Sequence, residues 1–360
     1  MKAPWLVAVV MALGASAGPG CDGDDPHKLK LRVLTYNIGN PDDTDPNYAL
    51  RLSYQSYEDY MGAQIRALDP DVVFLQEVLP PHTCEAFQET DAARTCYQAG
   101  DRPAAVQRIL GVDYSVVCDG RKQVECMGVK VSFGTFDGVA AGGFELTGAE
   151  TPPLPLESCV YALGECTKDK CDAESTVSAA SVSTAKGPLR LVHAHPNAPG
   201  TTSSGGFYMG DACRKLQMQQ VFEGLAGFGD VPLITAGPNL LAGDFNMDPV
   251  AFSTPAEVEV WDAWVGEGKR FTDFGPADAT GTHYGTRWGA FGVAIDHVLA
   301  ESASGRCQIF GEAEMGAASG TQRLDEGFVS SLPGGADFPG RIDHFAILCD
   351  LEIDLRPFAP

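Results

Sequence analysis

Residues 240–249 read LLAGDFNMDP, and the rest of the chain is organised around them. Two apolar residues lead into a small Ala-Gly pair and stop at Asp244 and Asn246, the pattern of a buried strand that presents polar groups at its tip. Residues i and i+2 of a strand share a face, so Asp244 and Asn246 project together while Phe245 turns back into the packing. Met247-Asp248-Pro249 then closes the strand with a turn. Asp and Asn at a strand end commonly serve only as turn formers. The pair gains weight because four other strand ends in the chain repeat the pattern.

Working outward, Leu29 to Gly39 (LKLRVLTYNIG) alternates as a half-buried strand and delivers Asn37. Tyr57 to Leu68 carries Tyr60, Met61, Ile65 and Leu68 at helical spacing, and Asp69-Pro70-Asp71 stops it. Val72 to Leu75 is an uninterrupted apolar run, a strand buried on both faces, with Gln76-Glu77 at its end. Ala104 to Leu110 is a short helix, and Asp113 to Cys118 with Cys126 to Phe133 forms two strands around Asp119-Gly120-Arg121. Thr176 to Ser183 and Leu189 to His195 form a hairpin turning at Lys186-Gly187, whose second strand ends in His193-Ala-His195-Pro-Asn197. Gly200 to Gly206 reads as a flexible loop, and helices are expected over Asp211 to Leu225 and Ala256 to Gly266. Thr280 to Gly289 reads as a polar loop near the site. Gly292 to Leu299 is expected as one strand with Asp296 in its interior, an awkward place for a charge unless it faces a partner. The last strands are Cys307 to Phe310 and Phe345 to Leu351, the second preceded by Asp343-His344.

A hydrophobic share of 44% excludes wholesale disorder. Residues 1–20 combine a positive start with an apolar run too short to span a bilayer and so read as a secretory signal peptide, with 21–28 as a linker and 29–356 as the folded domain. Cys21 resembles the lipid-attachment site of bacterial lipoproteins, although Gly18 replaces the usual aliphatic residue and Pro19 departs from the pattern, so a membrane tether stands as an alternative to plain secretion. Of 11 cysteines, setting Cys21 aside leaves 10, an even number for disulfides in an oxidising compartment. Cys84–Cys96, Cys118–Cys126 and Cys307–Cys349 are the expected pairs. Cys159, Cys166 and Cys171 hold a Gly- and Pro-rich insertion over 141–174 that lacks either periodicity. No Cys-x-x-Cys pair exists, which speaks against zinc. The net charge of -23 becomes -24 without Lys2, so the surface repels polyanions at long range.

The tips collect Asn37, Glu77, His195, Asp244, Asn246, Asp343 and His344, with Asp296 nearby. Oxygen ligands and imidazoles without thiolate suit a hard cation, Mg²⁺ or Mn²⁺, that binds phosphate oxygens through its open positions. A carboxylate such as Asp296 can hold an imidazole in one orientation for proton transfer.

In their order TYNIG (35–39), FLQEV (74–78), HAHPN (193–197), AGDFN (242–246), AIDHV (294–298) and RIDH (341–344), these motifs resemble the endonuclease/exonuclease/phosphatase superfamily. Pancreatic deoxyribonuclease, abasic-site endonucleases, bacterial sphingomyelinases and inositol polyphosphate 5-phosphatases belong to it. The resemblance runs from residue 32 to 350 and implies an α/β fold, a four-layer β-sandwich of two mixed sheets flanked by helices. It implies Asn37, Glu77 and Asp343 as metal-site residues, and Asp244 and Asn246 as the pair that orients the attacking water. His344 would be paired with Asp296, and His195 would be the second histidine at the scissile phosphate, supported by Glu125. Asn197 would contact phosphate. His193 departs from the Asn or Thr common at its position, and its role is open.

The expected activity is metal-dependent hydrolysis of phosphodiesters, nuclease-like, by a monomer acting on nucleic acid. A sphingomyelinase-like phospholipase C acting on a phospholipid headgroup would want an exposed aromatic hairpin, for which Gly206-Phe207-Tyr208-Met209 is the candidate. An inositol-phosphate phosphatase would want basic residues near the site, which are scarce. The non-enzyme alternative is a surface scaffold that keeps the fold.

Overall fold

The computed structural model describes residues 25–39, 55–79, 97, 104–145, 147–153, 160–162, 165–167, 176–198, 200–201, 207–208, 211–250, 253–275, 283–284, 292–310 and 344–358. Residues 1–20, expected as a signal peptide, and Cys21, Cys84, Cys96 and Asp343 lie outside them. In chain order, β1 (Lys28–Asn37) leads through helix α1 (Gln55–Leu68) to β2 (Val72–Gln76). Helix α2 (Ala105–Leu110) follows, then β3 (Tyr114–Cys118), β4 (Cys126–Lys130), β5 (Gly134–Phe136) and β6 (Phe144–Glu145). A short pair, β7 (Val160–Ala162) with β8 (Glu165–Thr167), precedes the hairpin β9 (Val177–Thr184) and β10 (Gly187–Ala194). A second short pair, β11 (Gly200–Thr201) with β12 (Phe207–Tyr208), leads to helix α3 (Asp211–Phe222), β13 (Asn239–Asp244) and helix α4 (Pro255–Trp264). The remaining strands are β14 (Phe271–Asp273), β15 (His283–Tyr284), β16 (Gly292–Val293), β17 (Asp296–Glu301), β18 (Ala303–Phe310) and β19 (Ala346–Asp354).

Among the described residues one sheet has seven strands in the order β18-β19-β1-β2-β4-β3-β6, and the other has six in the order β14-β17-β13-β10-β9-β5. Both are mixed: β1 and β2 are parallel in the first, β10 and β13 in the second, and β19, β4, β9 and β17 run antiparallel to them. Strand alternation then builds the layers. Leu31 and Val33 of β1 face the other sheet and pack with Leu191, Leu240, Ala242 and Val298, whereas Leu34 and Tyr36 face outward under Tyr57, Met61 and Ile65 of α1. On the opposite side Val192, Leu241 and Leu299 pack under Met218, Val221 and Phe222 of α3 and Val260 and Trp261 of α4. Each fully buried aliphatic side chain of this kind contributes about 2 kcal/mol of transfer free energy. The result is the expected four-layer order of helices, sheet, sheet and helices.

Two expected disulfides are present, Cys118–Cys126 across β3 and β4 and Cys307–Cys349 across β18 and β19, each joining directly opposed residues. Several expectations are corrected. Gly292 to Leu299 is not one strand: β16 pairs with β15, and Asp296 is the first residue of β17, so its charge stands at a strand end. The break comes at Ala294, whose N–H goes to the Asp248 carboxylate at 3.0 Å and not to a strand, while the 2.7 Å bond from the Phe245 N–H to the Ile295 carbonyl keeps the β13–β17 register. The stretch 141–174 is not wholly an insertion either. Phe144 and Glu145 pair with β3, Ala149 is buried between the sheets, and Glu150 bridges to Ala179. Gly200–Thr201 and His283–Tyr284, expected within loops, lie in short ladders. Helix α3 stops at Phe222, three residues early, because Gly224 takes a positive φ of 77° and returns its N–H to Gln219.

Candidate active site

Topology gathers the polar tips. β1, β2, β10 and β13 end at the same edge of the sandwich where β4, β17 and β19, antiparallel to their neighbours, begin. Asn37, Glu77, His195 and Asp244 therefore meet Glu125, Asp296 and His344 although they are far apart in sequence. Alternation supplies the direction, since Asp244 follows Leu240 and Ala242 on the inner face of β13 and His195 follows Leu191 and His193 on that of β10. Gly243 lets the two strands close up: its φ is +148°, and a Cβ there would collide with the Ala194 carbonyl.

The focus is one oxygen. Asp244 Oδ2 accepts from Asn37 Nδ2 at 3.2 Å and lies 3.5 Å from His344 Nε2 and 3.6 Å from His195 Nε2. Its partner Oδ1 accepts the Asn246 N–H at 2.7 Å. Each imidazole is backed by its own carboxylate. His344 Nδ1 sits 3.0 and 3.2 Å from the two oxygens of Asp296, and His195 Nδ1 sits 2.5 Å from Glu125 Oε1. Burial works against a charged His195, but Glu125 outweighs it and holds the ring well above an ordinary histidine pKa; the same burial pushes the Glu125 carboxyl up. Glu77 Oε1 lies 3.7 Å from His195 Nε2, and its side chain, 15% exposed, is the more open of the two. Glu77 and Asn246 both hold positive φ, 58° and 50°, where strained backbone often marks a working site.

The remaining sequence candidates lie at the rim or behind. Asn246 Nδ2 donates to the Pro196 carbonyl at 3.0 Å, joining its turn to the His195–Asn197 segment. His193 stands behind His195, its Nε2 against Gln76 Nε2 at 2.5 Å and 3.8 Å from Glu125 Oε2. Burial, with His195 adding to it, pushes the His193 pKa down to about 3, so it is a neutral packing partner and not an acid or base at neutral pH. Sequence reading placed Asp119 in a turn and gave it no role at the site. Its carboxylate accepts the N–H groups of Arg121, Lys122, Val124 and Glu125 at 2.8 to 3.1 Å, and this fixes the loop that presents Glu125. An Asp opening a short loop between two paired cysteines was the available signal.

Asp244, Asp296 and His344 offer ligand atoms within 4.8 Å of one another, a grouping able to hold a metal ion. The surrounding chemistry fits a hard cation: Glu77 and Asp244 present oxygens, no thiolate reaches the site among the described residues, and carboxylates outnumber imidazoles.

His297, beside Asp296, turns the other way. Its Nδ1 lies 2.9 Å from Asp273 and its Nε2 3.0 Å from the Met247 carbonyl, with the rings of Phe245 and Trp261 around it. Burial opposes its charge, Asp273 prevails, and its pKa is raised to about 9. A raised pKa stabilises the fold fully below the unfolded value of about 6.5 and is lost as pH rises through about 9. His297→Gln is therefore expected to lose about 3 to 5 kcal/mol at pH 6. The gap to the parent in urea melts should narrow between pH 7 and 10, and a gap independent of pH would contradict the ion pair.

No family model and no curated protein matches the chain. Among solved structures, the endonuclease/exonuclease/phosphatase from Bacteroides vulgatus aligns with a TM-score of 0.50 at 14% identity, over 90% of this chain and 99% of that one. This is the endonuclease/exonuclease/phosphatase fold. A family protein from Bacteroides thetaiotaomicron gives a TM-score of 0.48 at 16% identity, over 91% and 99% of the two chains. D. rerio TDP2, solved with a single strand DNA product, gives 0.47 at 14%, over 89% and 98%. On the endonuclease/exonuclease/phosphatase fold of this chain, the polar cluster occupies the edge where the inner strands of both sheets terminate.

Proposed function

We propose that the protein is an exported phosphoesterase that uses Mg²⁺ or Mn²⁺ to hydrolyse phosphodiesters by attack of water. The observation that carries this is the convergence of Asn37, His195 and His344 on the single oxygen Asp244 Oδ2, each histidine backed by a carboxylate. Such a set has an acceptor for the proton of an attacking water and two imidazoles to face the phosphoryl oxygens and leaving group. Asn246, locked to Asp244 through its own N–H, orients that water, and Asn197 contacts phosphate. Asn37 and Glu77, with Asp343 by its place in the RIDH motif, would hold the cation, which offsets charge on the phosphoryl oxygens when bound. Disulfides in the described residues support export, and a native chain carrying acyl mass at Cys21 would distinguish a membrane tether from plain secretion.

Nicking of supercoiled plasmid is expected in Mg²⁺ or Mn²⁺, falling to background with excess chelator and returning on metal addition. Sphingomyelin hydrolysis measured in parallel tests the lipid alternative, retained because Phe207 and Tyr208 stand in a short hairpin. Cleavage of neither substrate, together with a melting temperature indifferent to both metals, would favour the scaffold.

A further inference from the structure

The segment that carries His195 and Asn197 is gripped from outside the site. We propose that Arg214 and Gln217 are positioning residues, two side chains of α3 that hold both backbone groups of Asn197 and so set where His195 and Asn197 stand relative to Asp244. The catalytic part of this inference rests on the phosphoesterase reading; the grip itself rests on geometry. The Asn197 N–H donates to Gln217 Oε1 at 2.9 Å, and the Asn197 carbonyl accepts from Arg214 Nη1 at 3.0 Å. Residues three apart on a helix are surface neighbours, so one face of α3 reads one peptide from both sides.

Neither side chain is explained by packing alone. Arg214 is 0% exposed and Gln217 1%, on a helix face that otherwise presents Met218 and Val221 to the sheet. Burying a guanidinium is costly unless it is paired and hydrogen-bonded. Arg214 meets both conditions: Nε pairs with Glu257 Oε1 of α4 at 2.5 Å while Nη1 reaches the loop. The other oxygen of Glu257 accepts the N–H and hydroxyl of Thr254 at 2.7 and 2.8 Å, at the start of α4. A single guanidinium thus ties two helices to the loop, a task that suits a rigid planar fork. On the opposite flank, the His195 N–H donates to the Thr176 carbonyl at 2.8 Å and the Pro196 carbonyl accepts from Asn246 at 3.0 Å. Three successive residues, His195 to Asn197, are therefore fixed through the main chain. Small displacements of a positioned group cost rate steeply, which gives the grip a functional consequence.

The test uses the full chain. Gln217→Leu removes the acceptor at similar volume, and Gln217→Glu keeps an oxygen there. Deuterium exchange at the Asn197 amide is expected to quicken at least tenfold in Gln217→Leu while the amides of β13 stay protected. Hydrolysis of bis(p-nitrophenyl) phosphate should lose about tenfold in kcat/KM in Gln217→Leu and recover most of it in Gln217→Glu, a rescue that a purely structural role would not give. If Gln217→Leu fails to fold, Arg214→Lys, which keeps the charge beside Glu257 but lacks the fork, provides the same readouts. Unchanged Asn197 exchange, or equal kinetic losses in the Leu and Glu variants, would overturn the grip. A wild-type chain without phosphodiesterase activity would sink the functional reading instead and leave the exchange measurement to decide the grip.

Discussion

Asp244→Asn is expected to fold as the parent does and to lose turnover by on the order of 10²-fold or more. The substitution keeps size and an oxygen for the Asn246 N–H, the 2.7 Å contact that shapes the turn. What it removes is the charge of Oδ2, the acceptor toward which Asn37, His195 and His344 converge. A neutral amide cannot take a proton from water, and its NH₂ group would face three donors where an acceptor is required. Steady-state rates at saturating substrate, beside a melting curve, make the measurement. Near-parental kcat in a folded variant would place the chemistry elsewhere in the protein.

How much of this arrangement was visible in the chain depends on whether a residue's partners are local. The tips were legible because strand alternation is local: a run such as Leu240-Leu241-Ala242 states its own burial, and the polar residue that ends it states where the run stops. Their order along the chain carried the resemblance, and the two mixed sheets with outer helices follow it. Asp296 was misplaced within its strand because AIDHV is apolar on both sides of the charge. Only the diversion of the Ala294 N–H to the Asp248 carboxylate, 46 residues away, marks where the apolar run is broken. Arg214, Gln217 and Glu257 went unremarked for a different reason. Charged and amide side chains on a helix are solvated by default, and nothing in α3 or α4 alone says that these three face inward. The pairing of Cys118 with Cys126 was readable from proximity in sequence, whereas the four backbone N–H groups held by Asp119 depend on how the loop between them folds.

Asp296→Asn probes the same centre from behind the histidine. In the parent each ring nitrogen of His344 faces a carboxylate: Nδ1 lies 3.0 Å from Asp296 and Nε2 lies 3.5 Å from Asp244. A carboxylate can only accept, so Asp296 keeps a proton on Nδ1 and fixes the ring with Nε2 toward Asp244. Asparagine can turn its NH₂ toward Nδ1, which selects the neutral ring with its lone pair facing inward and its one proton on Nε2. Geometry is kept and the proton inventory is wrong. Loss of an orienting carboxylate behind a catalytic imidazole costs on the order of 10²- to 10⁴-fold in kcat, with KM little changed where the ring acts mainly in the transition state. Because Asp244 and His344 meet at one oxygen, the two losses should not multiply: the Asp244→Asn, Asp296→Asn double variant is expected to retain about the activity of the weaker single variant. Full multiplicativity would mean that His344 serves the reaction independently of Asp244, and the convergence on Asp244 Oδ2 would then describe packing without describing chemistry.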